Sequence, residues 1–321
     1  MERTERSDGT LHSLLRGERP PLDPCAAVLL PYDDQGRIDE DTFVRLIQST
    51  RDAGLKCAVN MDTGYVNYLN REEKLRALHL TREALGEGVT FIAGAYIEGA
   101  EGSPLYHYLR EIEHILDHGG TPILFPTSKL HGAKPTEMQR VYFEAVRDAK
   151  GALAFELSPL FAPNGEIFQE DTVRALMEIP NLAGMKHSSL SMKLEMSRLE
   201  LRNRVRPDFR IYTGNDLGIR MTEFGSDYLL GLATFCPEMF AERDRLWASC
   251  DPAYHDLTEA IQFLGAVAFR APVPAYKHSA AIFLHQRGKI PNPLPHPRNP
   301  RRPVWETELM ADCAKRIYCS G

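Results

Sequence analysis

The chain has 321 residues, 43% hydrophobic and 26% charged, with a formal net charge of -6 at pH 7. That length supplies a sizeable core in one large or two small domains, and the mild negative charge leaves no electrostatic footprint for nucleic acid or an anionic membrane. No apolar window reaches the roughly 18 residues a membrane helix requires, so neither nucleic acid nor membrane is expected as a partner.

The opening MERTERSDGT alternates charges and lacks an apolar stretch, so residues 1–23 read as a disordered lead-in rather than a signal peptide. Six cysteines are scattered with no CxxC pair, which predicts a reduced, cytoplasmic setting. From there short apolar runs alternate with longer amphipathic segments. The runs are 25–31, 56–61, 90–97, 121–127, 151–158, 182–188, 210–215 and 228–235. Between the first two lies EDTFVRLIQSTRDAG, where Phe43, Leu46, Ile47 and Thr50 share a face and Gly54 ends the helix. After the second run comes NREEKLRALHLTREALG, with Asn70 placed as its N-cap.

Eight strands, each followed by a helix, predict a (β/α)8 TIM barrel over residues 24–250, the region that carries the active site. A doubly wound open sheet is the alternative, but no GxGxxG follows the first run. Residues 251–321 read as a C-terminal helical region: two helices parted by RAPVP and a last one near Trp305 to Ile317.

In such a barrel the chemistry sits where strands end. The fifth run ends in FELSP and the sixth in MKHSS. Alternation makes Leu153, Phe155 and Leu157 the apolar set that faces the helices and turns Ala152, Ala154, Glu156 and Ser158 inward. On the sixth strand Lys186 shares a face with Gly184 and Ser188, and His187 takes the other, facing the helices as a hydrogen-bonded structural histidine. If the lysine's face is inward, Lys186 and Glu156 enter one cavity. Two readings then compete. The pair is a structural ion pair, or Lys186 is a nucleophile that forms a Schiff base. His114 and His118 have metal-ligand spacing, but they end a helix at the far face of the barrel, where capping is the simpler role. Asn215 and Asp216 end the seventh run as polar pocket candidates.

Several stretches then align in order with one family. LLPYDDQGRIDEDTFVRLI, MDTGYVNYLNREEKLRAL, IPNLAGMKHSS, YTGND, FGSDYLLGLATFCPEMF and APVPAYKHSAAIFL resemble segments of the dihydrodipicolinate synthase/N-acetylneuraminate lyase family of class I aldolases and related lyases. The resemblance implies that Lys186 is the Schiff-base lysine and that Thr63 and Gly64 orient a small carbonyl substrate such as a 2-oxo acid. It also implies a homo-oligomer, a tetramer or dimer, that needs no metal or organic cofactor. The chain departs from the family pattern at several positions. Glu156 stands where the family has its catalytic tyrosine, and Asp62 replaces the first threonine of the Gly-Thr-Thr-Gly-Glu loop. Ser128 or Thr127 falls where a neighbouring subunit's tyrosine would be contributed, and Phe161 falls at the synthases' arginine.

The expectation is therefore a divergent class I lyase with Lys186 and Glu156 as catalytic residues. Glu156 would move protons, and Asp62 would join it and Lys186 in a carboxylate–lysine cluster. Asp62, Thr63, Gly64, Ser128, Ser158 and Asn215 would line the substrate. The same departures predict that it is not a working dihydrodipicolinate synthase. Two alternatives stand beside this reading: a catalytically degenerate member that binds a small molecule or serves as a scaffold, and a metal-dependent lyase, for which the strand ends offer few ligands.

Overall fold

The structure, a computed structural model, describes residues 21–319, so all but the last three positions of the expected lead-in lie outside the described residues. Eight parallel strands hydrogen-bond in chain order and close into a barrel. They are β1 (Pro24–Ala27), β2 (Lys56–Val59), β3 (Phe91–Ala95), β4 (Gly120–Leu124), β5 (Ala152–Leu157), β6 (Leu182–Ser188), β7 (Arg210–Thr213) and β8 (Asp227–Leu230). Closure excludes the doubly wound open sheet.

The first six strands are each followed by a helix: α1 (Glu40–Asp52), α2 (Arg71–Leu85), α3 (Pro104–Asp117), α4 (Pro135–Ala145), α5 (Glu170–Met177) and α6 (Met192–Val205). After β7 the chain makes only a 3-10 turn, Ile219–Phe224, and after β8 a shorter one, Leu232–Thr234, before α7 (Pro237–Ala248). Helices α8 (Ala253–Ala268), α9 (Tyr276–Gln286) and α10 (Glu306–Tyr318) form the C-terminal extension.

The helix signals act as their chemistry predicts. In α1 the stripe Phe43, Leu46, Ile47 and Thr50 is buried, and Asp39 accepts a hydrogen bond from the Thr42 N–H at the N-terminus. Gly54 lies just past the end at φ +85°, where a side chain would be strained. At the start of α2, Asn70 accepts the Glu73 N–H and Glu73 accepts the Asn70 N–H in return, a capping box worth roughly 1 kcal/mol.

The chain divides into two compact units, one of Ile92–Leu229 with the segment up to Asp23, the other of Pro24–Phe91 with Leu230–Gly321. In the first, Phe125 and Phe155 pack edge to face with centroids 4.8 Å apart. At the starts of β7 and β8, Arg210 bonds Asp227 at 2.8 Å, and the Tyr212 hydroxyl donates to Asp23 at 2.9 Å. In the second unit, Phe269 stacks on Tyr276 at 4.2 Å. There Glu306, fully buried, is held by Arg270 and by the Ser279 hydroxyl.

Candidate active site

The run LAGMKHS forms β6 between β5 and β7, and its register decides what Lys186 meets. Lys186 pairs with Phe155 on one side and Tyr212 on the other, while His187 pairs with Glu156 and Thr213. Register partners in a parallel sheet share a face. Glu156 and His187 point to the helix side, where Arg198 of α6 meets Glu156, so Lys186 points into the barrel. Its side chain is 6% exposed, with Nζ 4.6 Å from the centroid of the Phe155 ring. Gly214, just beyond β7, makes this placement possible. A Cβ there would lie 2.6 Å from Lys186 Cε and 2.0 Å from Ser188 Oγ, closer than real atoms approach.

The inward position expected of Glu156 is corrected. Its carboxylate is fully buried and saturated by the chain: Arg198 donates from Nε at 2.9 Å and from Nη2 at 3.1 Å. His187 Nδ1 lies 2.5 Å from Oε1, and the Phe168 N–H donates to Oε2 at 3.0 Å. Burial alone raises a carboxyl pKa, but His187 and Arg198 outweigh it and bring Glu156 down to about 2. It is a fixed anion, unsuited to trading protons near neutral pH. The error came from sending the apolar set to the helices, because both faces of β5 are uncharged before Glu156 and barrel interiors take bulky apolar side chains. Leu153, Phe155 and Leu157 therefore go inward. A missed signal lay in α6, where Glu195, Arg198 and Arg202 stand three and four residues apart as a charged stripe that is buried rather than solvated.

Glu195 anchors a second part of that network, accepting from Thr213 Oγ1 at 2.9 Å, Asn215 Nδ2 at 2.6 Å and Ser226 Oγ at 2.6 Å. Burial pushes its pKa up despite these donors. Asn215 also accepts the Leu190 N–H at 2.5 Å through Oδ1, so both ends of its amide are engaged by the protein. It is a strut between β7 and α6 rather than the pocket contact expected. Ser128 likewise turns to a protein partner, since its hydroxyl and N–H both donate to Glu98, at 2.5 and 2.9 Å. Burial raises Glu98, but the bonds from Ser128 and Thr127 leave it below the usual carboxylate range. Ser158, buried at the end of β5, donates its N–H to the Ser188 carbonyl at 2.9 Å and accepts the Leu160 N–H at 3.3 Å.

In the other unit, Asp62, Thr63 and Gly64 form a 3-10 turn just beyond β2. The lysine that Asp62 meets is Lys277, whose Nζ donates to Oδ1 at 3.0 Å, while the Tyr276 hydroxyl donates to Oδ2 at 2.9 Å. The Thr63 hydroxyl lies 2.8 Å from the same Tyr276 oxygen. With Glu156 turned to α6 and Asp62 bound to α9, the expected cluster of both carboxylates with Lys186 is replaced by two separate ion pairs. Gly64 donates its N–H to the Met61 carbonyl. The next residue, Tyr65, adopts φ +60° and is fully buried, its hydroxyl meeting no hydrogen-bond partner of good geometry among the described residues.

Phe161 is buried, as an apolar residue at that position should be. His118 Nδ1 bonds the His114 carbonyl at 2.7 Å, a helix-end contact. Among the described residues no group of three or more His, Cys, Asp or Glu is arranged to hold a metal, and no helix is long and apolar enough to cross a membrane.

A closed barrel of eight parallel strands with alternating helices fits the class I aldolase-type lyase fold. No family model matches the chain. A 4-hydroxy-tetrahydrodipicolinate synthase from Synechococcus sp. strain CC9902 is 26% identical over 213 residues, 65% of this chain and 67% of that protein. Dihydrodipicolinate synthase from Thermotoga maritima has the same fold, with a TM-score of 0.79 at 17% identity over 92% of this chain and 98% of that one. So does a prophage protein of the dihydrodipicolinic acid synthase family from E. coli K12, solved in complex with pyruvate, with a TM-score of 0.78 at 14% identity over 92% and 98%. These likenesses support a divergent member of the dihydrodipicolinate synthase family.

Proposed function

We propose that the protein is a class I lyase that binds a small 2-oxo acid as an imine on Lys186. The observation that carries this is the buried lysine, facing inward beside Phe155 where Gly214 leaves room for its Cε. The Lys186 amine adds to the carbonyl carbon and water leaves. Ser188 shares the lysine's face and supplies a hydroxyl on that side of the strand. The pyruvate held by the prophage relative supports a substrate of this class. Phe161 offers no cation for a second carboxylate, so the reaction is not the condensation of pyruvate with aspartate semialdehyde.

Borohydride reduction in the presence of pyruvate, followed by peptide mass spectrometry, tests the imine. A reduced adduct is expected on Lys186 and absent from Lys186→Ala. An adduct on Lys129 instead, or none with a panel of 2-oxo acids, would overturn the proposal. A second reading is favoured by one observation, the saturation of Glu156: the protein forms the imine but turns substrate over slowly or not at all. Trapping without product separates it from the first. The proposal extends to a cytoplasmic homo-oligomer, supported by six free thiols, four of them buried. Light scattering of the purified chain measures the assembly.

A further inference from the structure

Behind the imine lysine, in the unit Ile92–Leu229, three side chains join in a line that the lyase chemistry does not use. Glu156 Oε1 lies 2.5 Å from His187 Nδ1, and His187 Nε2 lies 2.6 Å from Ser189 Oγ. Glu156 is held ionised, with a pKa of about 2, and can only accept, so Nδ1 carries the imidazole proton. In the neutral ring this leaves Nε2 as the nearer acceptor for the Ser189 hydroxyl, at 2.6 Å against 3.2 Å to the Ser191 carbonyl. We propose that Ser189, His187 and Glu156 form a second catalytic centre, a nucleophile, base and orienting carboxylate able to cleave small esters.

Other features agree with this assignment. Glu156 and His187 are fully buried, whereas Ser189 is half-buried in the short loop between β6 and α6 and so is reachable. The next residue, Leu190, is in the left-handed region at φ +59°, pinned by the bond from its N–H to Asn215. A leucine there is strained, and strain of this kind gathers at functional turns. The Ser191 N–H donates to Ser189 Oγ at 3.0 Å and steadies the nucleophile. The α6 N-terminus follows directly, where first-turn N–H groups favour developing negative charge. Arg198 also donates to Glu156 and holds the carboxylate in place beside His187.

The step balances without another reagent. Ser189 Oγ bonds to the acyl carbon as its proton passes to His187 Nε2, and the ester C–O bond breaks with that proton going to the leaving alcohol. Water then attacks the acyl-serine, gives its proton to His187, and frees the acid as Ser189 regains its hydrogen.

A fluorophosphonate probe tests this directly, because it captures an activated serine and leaves lysines alone. Incubation of the intact protein should phosphonylate Ser189 in peptide maps. Labelling should vanish in Ser189→Ala and slow by about 10²-fold or more in His187→Gln, the usual worth of a general base. Since His187→Gln removes a buried group, the wild-type protein supplies an independent measurement. Its labelling rate should rise with pH, because a general base accepts a proton only when it carries none. Hydrolysis of p-nitrophenyl acetate should fall to the buffer rate in Ser189→Ala. Failure of the folded wild-type protein to label at Ser189, labelling that is flat with pH, or ester hydrolysis unchanged in Ser189→Ala would each overturn the proposal.

Discussion

Glu156 on β5 and Asp62 beyond β2 are both nearly removed from solvent, at 0% and 6% exposure, yet they are held in different ways. Glu156 lies in the fork of a guanidinium, with an imidazole and a backbone N–H completing its shell. Asp62 receives one ammonium hydrogen and one phenol hydrogen, a single donor on each oxygen. A planar fork fixes both oxygens of a carboxylate at once, whereas a lysine is a point charge on a flexible stem. The first arrangement locks its carboxylate into the wall of the barrel. The second leaves lone pairs on a carboxylate carried by a turn of three residues. Strand alternation placed Glu156 near the substrate, and resemblance placed Asp62 there. The donors around them distinguish a structural anion from one still able to accept a further bond.

The sharpest way to break this comparison is to remove the fork. Arg198→Met leaves Glu156 buried without its guanidinium and should cost about 3–5 kcal/mol, read as a lower midpoint in urea unfolding. A loss below about 1 kcal/mol would mean that His187 alone suffices.

Acid probes the same anion without mutation. The Glu156 pKa falls from 4.5 in the unfolded chain to about 2 in the folded protein. Its contribution is therefore fully present above about 4.5 and lost as the pH falls towards about 2. Stability should drop by a few kcal/mol across that window, because a tenfold change in proton affinity between the two states is worth on the order of 1.4 kcal/mol. Glu156→Gln should flatten this part of the profile. The same variant should still form the borohydride-trapped adduct on Lys186, because the amide faces α6 and not the imine.

Lys277→Met should cost less, about 1–3 kcal/mol, since Tyr276 still donates to Asp62. If Lys277→Met proves more damaging than Arg198→Met, the ranking of the two sites is reversed. The smallest effect is expected a few residues on. The Tyr65 hydroxyl is buried without a well-formed hydrogen bond among the described residues, so Tyr65→Phe should change stability by no more than ~1 kcal/mol, or raise it. A larger loss in thermal unfolding would reveal a bound water or ligand at that oxygen.

How far the amino-acid sequence discloses the molecule depends on what kind of signal each part leaves. The alternation of strands and helices was legible because every element repeats its own period, and Asn70 and Gly54 mark helix ends through local chemistry. Lys186 was legible because a charge at the end of an apolar run stands out. The phase of β5 was not, since alanine, leucine and phenylalanine suit either side of a sheet and only Arg198, 42 residues away, turns Glu156 outward. The buried stripe of α6 has the spacing of a core face but the composition of a wet one. The pairing of Asp62 with Lys277 spans 215 residues, and no local pattern announces it. Asn215 read as a pocket residue because its position at a strand end is correct, although its partners lie behind the strand.

Gly214 has a practical use of its own. It carries no charge and donates no side chain, yet a single methyl there would occupy the volume of Lys186 Cε. Gly214→Ala keeps every ionisable group of the protein and displaces the lysine amine together with the Ser188 hydroxyl. That makes it a matched blank for the chemistry, electrostatically identical to the wild-type protein where Lys186→Ala is not. It also shows how a descendant of such a barrel can fall silent while its signature lysine stays in place. When relatives are screened by sequence for a working imine site, the residue after the seventh strand should be read along with the lysine of the sixth.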